Sequence, residues 1–149
     1  MLNETIKTVG EVAIVVTGKD GKVKQKYVVP NLIVTAGLSF IASRMKDATA
    51  TAMSHMALGT GATAAVAGNT ALVTEAGRVA LDSTTVTANA VEYKATFEAG
   101  TGTGAIVEAG LFNANSGGTM LCRTVFAAVN KGVDDSMSIT WTITVSAGA

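Results

Sequence analysis

The sequence predicts an all-β fold, a jelly-roll-like antiparallel β-sandwich with one short helix at about residues 35–45. Composition is the first indication: the 149 residues include 16 glycines, aromatic residues make up only 5% of the chain, and small β-branched residues favour tightly packed sheets. Turn signals at nearly regular spacing after Arg78 are the second, since they are typical of sandwiches and jelly rolls. The third is the strict alternation of apolar and Ser/Thr residues from Met137 to Val145, which is the period of a half-buried strand.

The first predicted unit is a β-hairpin. Two β-rich runs, Val12–Thr17 and Val23–Val29, flank Gly18-Lys19-Asp20-Gly21, and Asp-Gly between such runs is a strong hairpin signal. The second arm carries alternating lysines on one face, namely Lys22, Lys24 and Lys26. We interpret this face as solvated or edge-protecting; the alternative is a cationic strip that docks on an acidic partner surface.

A short helix is predicted after Pro30 and Asn31, over Ala36–Met45 with Thr35 as its N-cap. Four apolar residues recur at helical spacing and are expected to pack on a sheet: Leu38, Ile41, Ala42 and Met45. The small polar residues 47–52 then predict a loop.

The middle of the chain predicts a strand at Ser54–Leu58, followed by a flexible segment, Gly59–Gly68, that is too apolar to be a solvated linker. Thr70 is expected to cap one helical turn that ends near Gly77. The predicted strands Val79–Val86 and Val91–Phe97 flank a turn at Ala88-Asn89-Ala90, and Ala105–Asn113 and Thr119–Val129 flank a turn at Asn115-Ser116-Gly117-Gly118. The last predicted strand is Met137–Val145.

Length and charge limit the organisation and the partners. The chain is expected to form one domain over residues 1–149, with a candidate flexible arm at residues 1–10. Eleven basic residues balance eleven acidic ones, so no nucleic-acid or membrane-surface partner is expected. The most apolar stretch, Tyr27–Met45, is interrupted by polar residues, and no transmembrane helix is expected.

Residues for catalysis or metal binding are few. The chain has one cysteine, Cys122, and one histidine, His55, which excludes an intramolecular disulfide and the usual histidine-rich metal sites. We interpret Cys122 as a small buried hydrophobe, His55 as a satisfied or edge-exposed side chain, and Gly59-Thr60-Gly61 as a turn. We therefore expect no enzyme activity, no catalytic residue, no cofactor and no metal.

Three charged residues stand out within Ala/Gly/Val sequence, namely Glu75, Arg78 and Glu108. The plainer interpretation is a structural ion pair that holds a strand or a loop. The alternative is a bridge between subunits, and with the three lysines these residues form the candidate interface set.

Several segments together resemble a family of small virion proteins of tailed bacteriophages and prophages. They are Met56–Gly61, Gly68–Leu72, Glu75–Leu81, Thr96–Gly102, Glu108–Asn113, Cys122–Phe126 and Asn130–Gly132. The resemblance spans roughly residues 28–146. Within this family the chain is similar to capsid cement (decoration) proteins, whose jelly-roll-like sandwiches clamp neighbouring capsid subunits. The resemblance carries over no catalytic residue.

The expected function is therefore structural: a virion protein, made in the host bacterial cytoplasm, that binds the capsid surface as a dimer or trimer and stabilises the shell. Its expected partners are the phage major capsid protein and further copies of itself, with no small-molecule substrate. The alternative is a tail, collar, baseplate or fibre component that takes part in attachment to the host. Copy number in the virion separates the two.

Overall fold

A computed structural model describes residues 5–46 and 50–148, which form ten strands and one helix. One sheet contains, in spatial order, β2 (Val23–Pro30), β1 (Ile6–Thr17), β10 (Ser136–Ala147), β7 (Ala90–Phe97) and β6 (Ser83–Thr87). The other contains β3 (Leu32–Ile33), β9 (Met120–Lys131), β8 (Gly104–Phe112), β4 (His55–Gly59) and β5 (Glu75–Ala80). Neighbouring strands pair antiparallel. The predicted all-β antiparallel sandwich is confirmed.

The core lies between the inner faces of the two sheets. Alternate residues of β10, from Met137 to Ile143, are buried as the sequence pattern predicts, and Trp141 is the largest of the fully buried side chains. The inner residues of β1 and β7 belong to the same cluster: Val12, Ile14, Val16, Tyr93, Ala95 and Phe97. The other sheet contributes Met56, Leu58, Ile106, Ala109, Leu111 and Leu121. The hairpins β1–β2, β6–β7 and β8–β9 are also as predicted.

The start of the chain differs from the expected flexible arm. Residues 6–10 form the first part of β1 and pair with β10, where Ile6 faces Ala147 and Gly10 faces Ile143. Residues 1–4 of the expected arm lie outside the described residues. The long final strand extends far enough to give this segment a pairing partner.

The helix exists, but its predicted cap is wrong, and of its predicted buried face only Ile41 packs on the core. Helix α1 spans Thr35–Arg44, its N-cap is Val34, and no side chain caps it. Leu38 and Met45 are 48% and 77% exposed, whereas Gly37 and Phe40 are buried. A Cβ at Gly37 would overlap the carbonyl oxygen of Leu121. The helix therefore lies directly on β9 through its glycine, and this contact sets which face is buried.

Two further expectations are wrong between residues 70 and 86. No helical turn follows Thr70; residues 70–74 form bends that lead into β5. The predicted single strand over residues 79–86 is divided between β5 and β6, which belong to different sheets. Of the loop predicted at residues 47–52, residues 47–49 lie outside the described residues, and residues 50–52 form neither helix nor strand.

Candidate functional site

An ion pair is completely buried in the second sheet. Glu108 lies on β8 and Arg123 on β9, and both side chains have no exposed surface. The guanidinium of Arg123 contacts Oε2 of Glu108 through Nη2 at 2.9 Å and through Nε at 3.0 Å. A buried pair is favourable only when hydrogen bonds satisfy its remaining polar atoms. Those hydrogen bonds come from the segment between β4 and β5.

We call residues 60–74 the neutral loop, because they include no charged side chain. Three backbone N–H groups of this loop donate to the Glu108 carboxylate: Thr74 at 2.8 Å and Gly61 at 3.0 Å to Oε1, and Val73 at 3.0 Å to Oε2. Both ends of the loop are therefore bound to one carboxylate. Residues 73 and 74 lie in bends, where the sequence predicts a helical turn.

Arg123 binds the middle of the same loop. Its Nη2 donates to the carbonyl oxygen of Thr63 at 2.8 Å, and its Nη1 donates to Oδ1 of Asn69 at 3.1 Å. Oδ1 of Asn69 also accepts from the N–H of Val66 at 2.9 Å, which closes the loop on itself. The ion pair thus fixes the beginning, middle and end of the neutral loop.

The Glu108 carboxylate stays charged in this setting. Burial acts to raise its pKa, but the N–H groups of Thr74 and Val73, the Arg123 guanidinium and the N–H of Gly61 together hold it below its ordinary value. The ion pair and its hydrogen bonds therefore persist at neutral pH. Their chemical role is to hold the backbone in place.

Gly59 and Gly61 are required by their closeness to this carboxylate. A Cβ would come within 2.5 Å of Oε1 of Glu108 at Gly59 and within 2.7 Å of it at Gly61. The sequence predicts a turn at Gly59-Thr60-Gly61. The structure shows that the N–H of Gly61 binds an anion, and that this anion is the chain's own carboxylate.

The outer surface of the neutral loop is apolar and made of small residues. Val66 and Val73 are 56% and 52% exposed, and most of the intervening alanines and threonines are exposed as well. A groove of about 340 Å³ separates the loop from β3 and β9, and Ala62, Ala64, Pro30, Leu32 and Val125 line it. Arg123 also lines the groove, but its side chain is fully buried in the ion pair, so the loop and the groove expose no charged side chain.

The other predicted interface residues are distributed around the sandwich. Arg78 binds Glu75 through two hydrogen bonds of 2.7 and 3.1 Å, and its guanidinium lies 3.8 Å from the ring centre of Phe112. It also donates to the carbonyl oxygens of Ala114 and Gly117. Arg78 therefore ties β5 to the β8–β9 turn, and Glu108 pairs with Arg123 instead.

The predicted lysine face lies at the edge strand β2 and the turn before it. Lys22, Lys24 and Lys26 are exposed, and the ammonium of Lys24 lies 3.0 Å from Oδ2 of Asp135. A cationic strip at this edge therefore has one of its three charges paired within the chain.

Asp135 belongs to a second charged cluster, at the other end of β9 from Arg123. The buried ammonium of Lys131 donates to the carbonyl oxygens of Glu98 at 2.9 Å and Asp135 at 2.7 Å. The Asp135 carboxylate accepts from the N–H of Gly132 at 2.8 Å. We call Lys24, Lys131 and Asp135 the Lys131–Asp135 cluster.

The remaining nucleophile and base candidates are occupied or buried. Cys122 is buried as expected, and burial raises the pKa of its thiol. Nδ1 of half-buried His55 lies 2.8 Å from Oγ of Ser54. Within residues 5–46 and 50–148, no three His, Cys, Asp or Glu side chains are grouped so as to hold a metal ion, and no helix is long and apolar enough to cross a membrane.

Arg123 is the functional residue that sequence reasoning missed, and a signal for it exists. Glu108 and Arg123 are isolated opposite charges in the two apolar arms of a predicted hairpin. Counting outward from the turn of this hairpin, at residues 115–118, places the two charges almost opposite each other.

Comparisons of the chain with protein-family models, with characterised proteins and with solved structures find no match.

Proposed function

We propose that this chain is a non-enzymatic structural protein that docks on the outer face of an assembled phage capsid through the neutral loop and stabilises the shell. The observation that carries the proposal is the locked loop: fifteen consecutive residues without a charge, held by a fully buried ion pair. The major capsid protein as partner comes from the resemblance of segments such as Met56–Gly61 and Glu108–Asn113 to virion proteins.

The physical properties of the loop suit docking. An uncharged surface loses little hydration free energy when a partner covers it, because charged groups are the expensive ones to remove from water. A loop that is already fixed loses little conformational entropy on binding. Exposed Val66 and Val73 supply apolar area. Repeated placement on a symmetric shell converts a modest single-site affinity into stable attachment.

The test uses shells of the phage that encodes the chain, assembled without it. Adding purified protein should restore density at fixed symmetry positions and raise the melting temperature of the shell. Absence of binding at saturating concentration would overturn the proposal. A dozen or fewer copies in the native virion would also overturn it, in favour of the tail or baseplate.

A matched pair of variants tests the docking surface itself. Val66→Lys places a charge on the neutral loop, and Val133→Lys places the same charge on the turn before β10; the two valines are 56% and 67% exposed, so neither change disturbs the core. We expect Val66→Lys to weaken shell binding at least about tenfold, because the ammonium must be desolvated in the interface. Val133→Lys should bind as the unaltered chain does. Equal binding by both variants would contradict the assignment of the loop.

A further inference from the structure

The four edge strands of the sandwich are protected to different degrees. An exposed edge presents unpaired N–H and C=O groups, and proteins usually block it with lysine, proline, a bulge or a covering segment. The edge strand β2 carries Lys24, Lys26 and Pro30. β5 carries Glu75 and Arg78, and β3 is only two residues long.

Among residues 5–46 and 50–148, β6 has none of these protections. Its five residues, Ser83 to Thr87, are all exposed and include no charge and no proline. Its strand neighbour within the described part of the chain is β7, on one side only. β6 is therefore a neutral strand rich in β-branched residues, the kind of edge that accepts another strand.

An apolar cavity of about 350 Å³ lies beneath this edge. Thr84 and Val86 of β6 line it together with Arg44 of helix α1 and with apolar residues that include Phe40, Tyr93 and Ile143. Val86 is nevertheless 69% exposed. A strand added beside β6 would place alternate side chains at the mouth of this cavity, which is how strand addition combines backbone hydrogen bonds with side-chain pockets.

The hydrogen-bonding direction of each β6 residue follows from its hairpin. β6 and β7 are joined by a two-residue turn, which Thr87 flanks. Residues that flank such a turn bond to each other, and bonded and non-bonded pairs then alternate along the ladder. Val86 and Thr84 lie one and three residues before Thr87, so they form non-bonded pairs with β7. Their N–H and C=O groups therefore point away from the sheet.

We propose that two copies of this chain pair antiparallel through β6, about a twofold axis at Thr85. In this register Thr84 of each copy bonds to Val86 of the other, so all four outward-facing residues are used. Asp82 faces Ala88 of the other copy, so no like charges oppose each other. The two Val86 side chains enter the cavity mouths, and a continuous ten-stranded sheet results.

The second copy is the occupant because the edge complements itself in charge, length and hydrogen-bonding pattern. The pairing does not depend on the proposed shell function. The neutral loop connects strands of the other sheet, so a dimer formed through β6 would leave it open to dock. The two proposals can fail separately.

Disulfide trapping tests the register directly. Thr85 faces itself as a non-hydrogen-bonded pair, with the Cα atoms about 4.5 Å apart, which is within the range that a disulfide spans. Thr85→Cys should therefore form a covalent dimer under mild oxidation, on the solvent side of the sheet. The native Cys122 is buried and does not compete. Thr87→Cys is the matched control, because its two copies would lie about 13 Å apart along the strand.

We expect Thr85→Cys to crosslink at least tenfold faster than Thr87→Cys, and a mixture of Ser83→Cys and Thr87→Cys to yield the mixed dimer. Equal crosslinking by Thr85→Cys and Thr87→Cys would overturn the proposed pairing. No dimer of Thr85→Cys would overturn it as well.

Analytical ultracentrifugation of the unaltered chain under reducing conditions provides the second measurement. A five-residue edge is smaller than a standard interface, so we expect dimerisation with a Kd on the order of 100 μM. Thr85→Lys should abolish it, because two ammonium groups would meet at the axis, while Thr87→Lys should dimerise as the unaltered chain does. A chain that stays monomeric throughout the millimolar range, or equal dimerisation by both lysine variants, would contradict the proposal.

Discussion

The two charged clusters of β9 differ in how completely they are sealed from water. At one end of the strand, Glu108 and Arg123 have no exposed surface, and the neutral loop covers them. At the other end, Asp135 is nearly buried, but Lys24 is 52% exposed. Both clusters have a glycine N–H that donates to the carboxylate, from Gly61 and from Gly132.

The difference shows which cluster determines the structure around it. Sealed charges have lost their hydration, so each depends on its partner and on the loop. In the open cluster, Lys24 can exchange Asp135 for water at little cost. Burial lowers the pKa of Lys131, but its ammonium keeps two carbonyl partners that no change at Lys24 removes. The sealed pair is therefore the anchor of the candidate docking surface.

The largest expected effect follows from removing half of the sealed pair. Arg123→Met leaves the Glu108 carboxylate buried without its counter-charge, and it frees Thr63 and Asn69 of the loop. We expect a loss of about 3–5 kcal/mol in the free energy of unfolding, measured by urea denaturation at pH 7.

The double variant Glu108→Gln with Arg123→Met is its control. Glutamine carries no charge and keeps one oxygen for the N–H groups of Gly61 and Thr74, although the N–H of Val73 loses its acceptor. Because no charge is left buried without a partner, the double variant should be more stable than Arg123→Met. A loss below about 1 kcal/mol for Arg123→Met would show that the pair contributes no more than an exposed one.

An intermediate effect is expected from the glycine beside the carboxylate. A methyl group at Gly61 would overlap Val73 and lie 2.7 Å from Glu108 Oε1. Gly61→Ala should therefore cost about 1–3 kcal/mol in the free energy of unfolding. Gly68→Ala, on the same loop, is the control, because a Cβ there meets nothing within 4 Å.

For Gly132→Ala, in the open cluster, we expect a smaller loss in the free energy of unfolding than for Gly61→Ala. A Cβ at Gly132 would lie 2.9 Å from Oδ2 of Asp135, and the open side of that cluster lets the carboxylate move aside. If thermal unfolding showed the same loss of stability for Gly61→Ala and Gly132→Ala, complete burial of the charges would not distinguish the two sites.

The fold was predictable where its signal is local. The period-two pattern of residues 137–145 and the turns at residues 18–21 and 115–118 each depend on a few adjacent residues. The buried face of helix α1 was not predictable in this way. It is decided by the backbone contact between Gly37 and Leu121, which are 84 residues apart in the chain. Helical spacing selected Leu38, Ile41, Ala42 and Met45, of which only Ile41 packs on the core.

The candidate site was predictable only in part, for a related reason. Glu108 stood out as an isolated charge, but its role depends on N–H groups from Gly61, Val73 and Thr74, which come from a distant loop. Two of those donors, Val73 and Thr74, lie in bends where the sequence predicts a helical turn after Thr70. Single-residue signals identify the charge, and tertiary hydrogen bonds identify its function.

The smallest effect is expected in the open cluster. Lys24→Met removes an ammonium from Asp135, while the N–H of Gly132 still binds its carboxylate and the ammonium of Lys131 still binds its carbonyl oxygen. We expect Tm at pH 7 to fall by no more than about 3 °C, because exposed ion pairs contribute little. Lys26→Met, on the same edge strand, is the matched control and should leave Tm unchanged.

The pH dependence identifies charge as the cause of that small effect. The N–H of Gly132 and then Lys24 hold the pKa of Asp135 below its ordinary value of 3.8. Between the folded and the unfolded pKa of Asp135, the folded state therefore binds fewer protons than the unfolded state. The stabilisation is present above the ordinary pKa and is lost as pH falls through the folded pKa. The Tm difference between the unaltered chain and Lys24→Met should disappear at acid pH, where Asp135 is protonated. A difference that stays constant from neutral to acid pH would mean that Lys24 acts through the packing of its aliphatic stem instead.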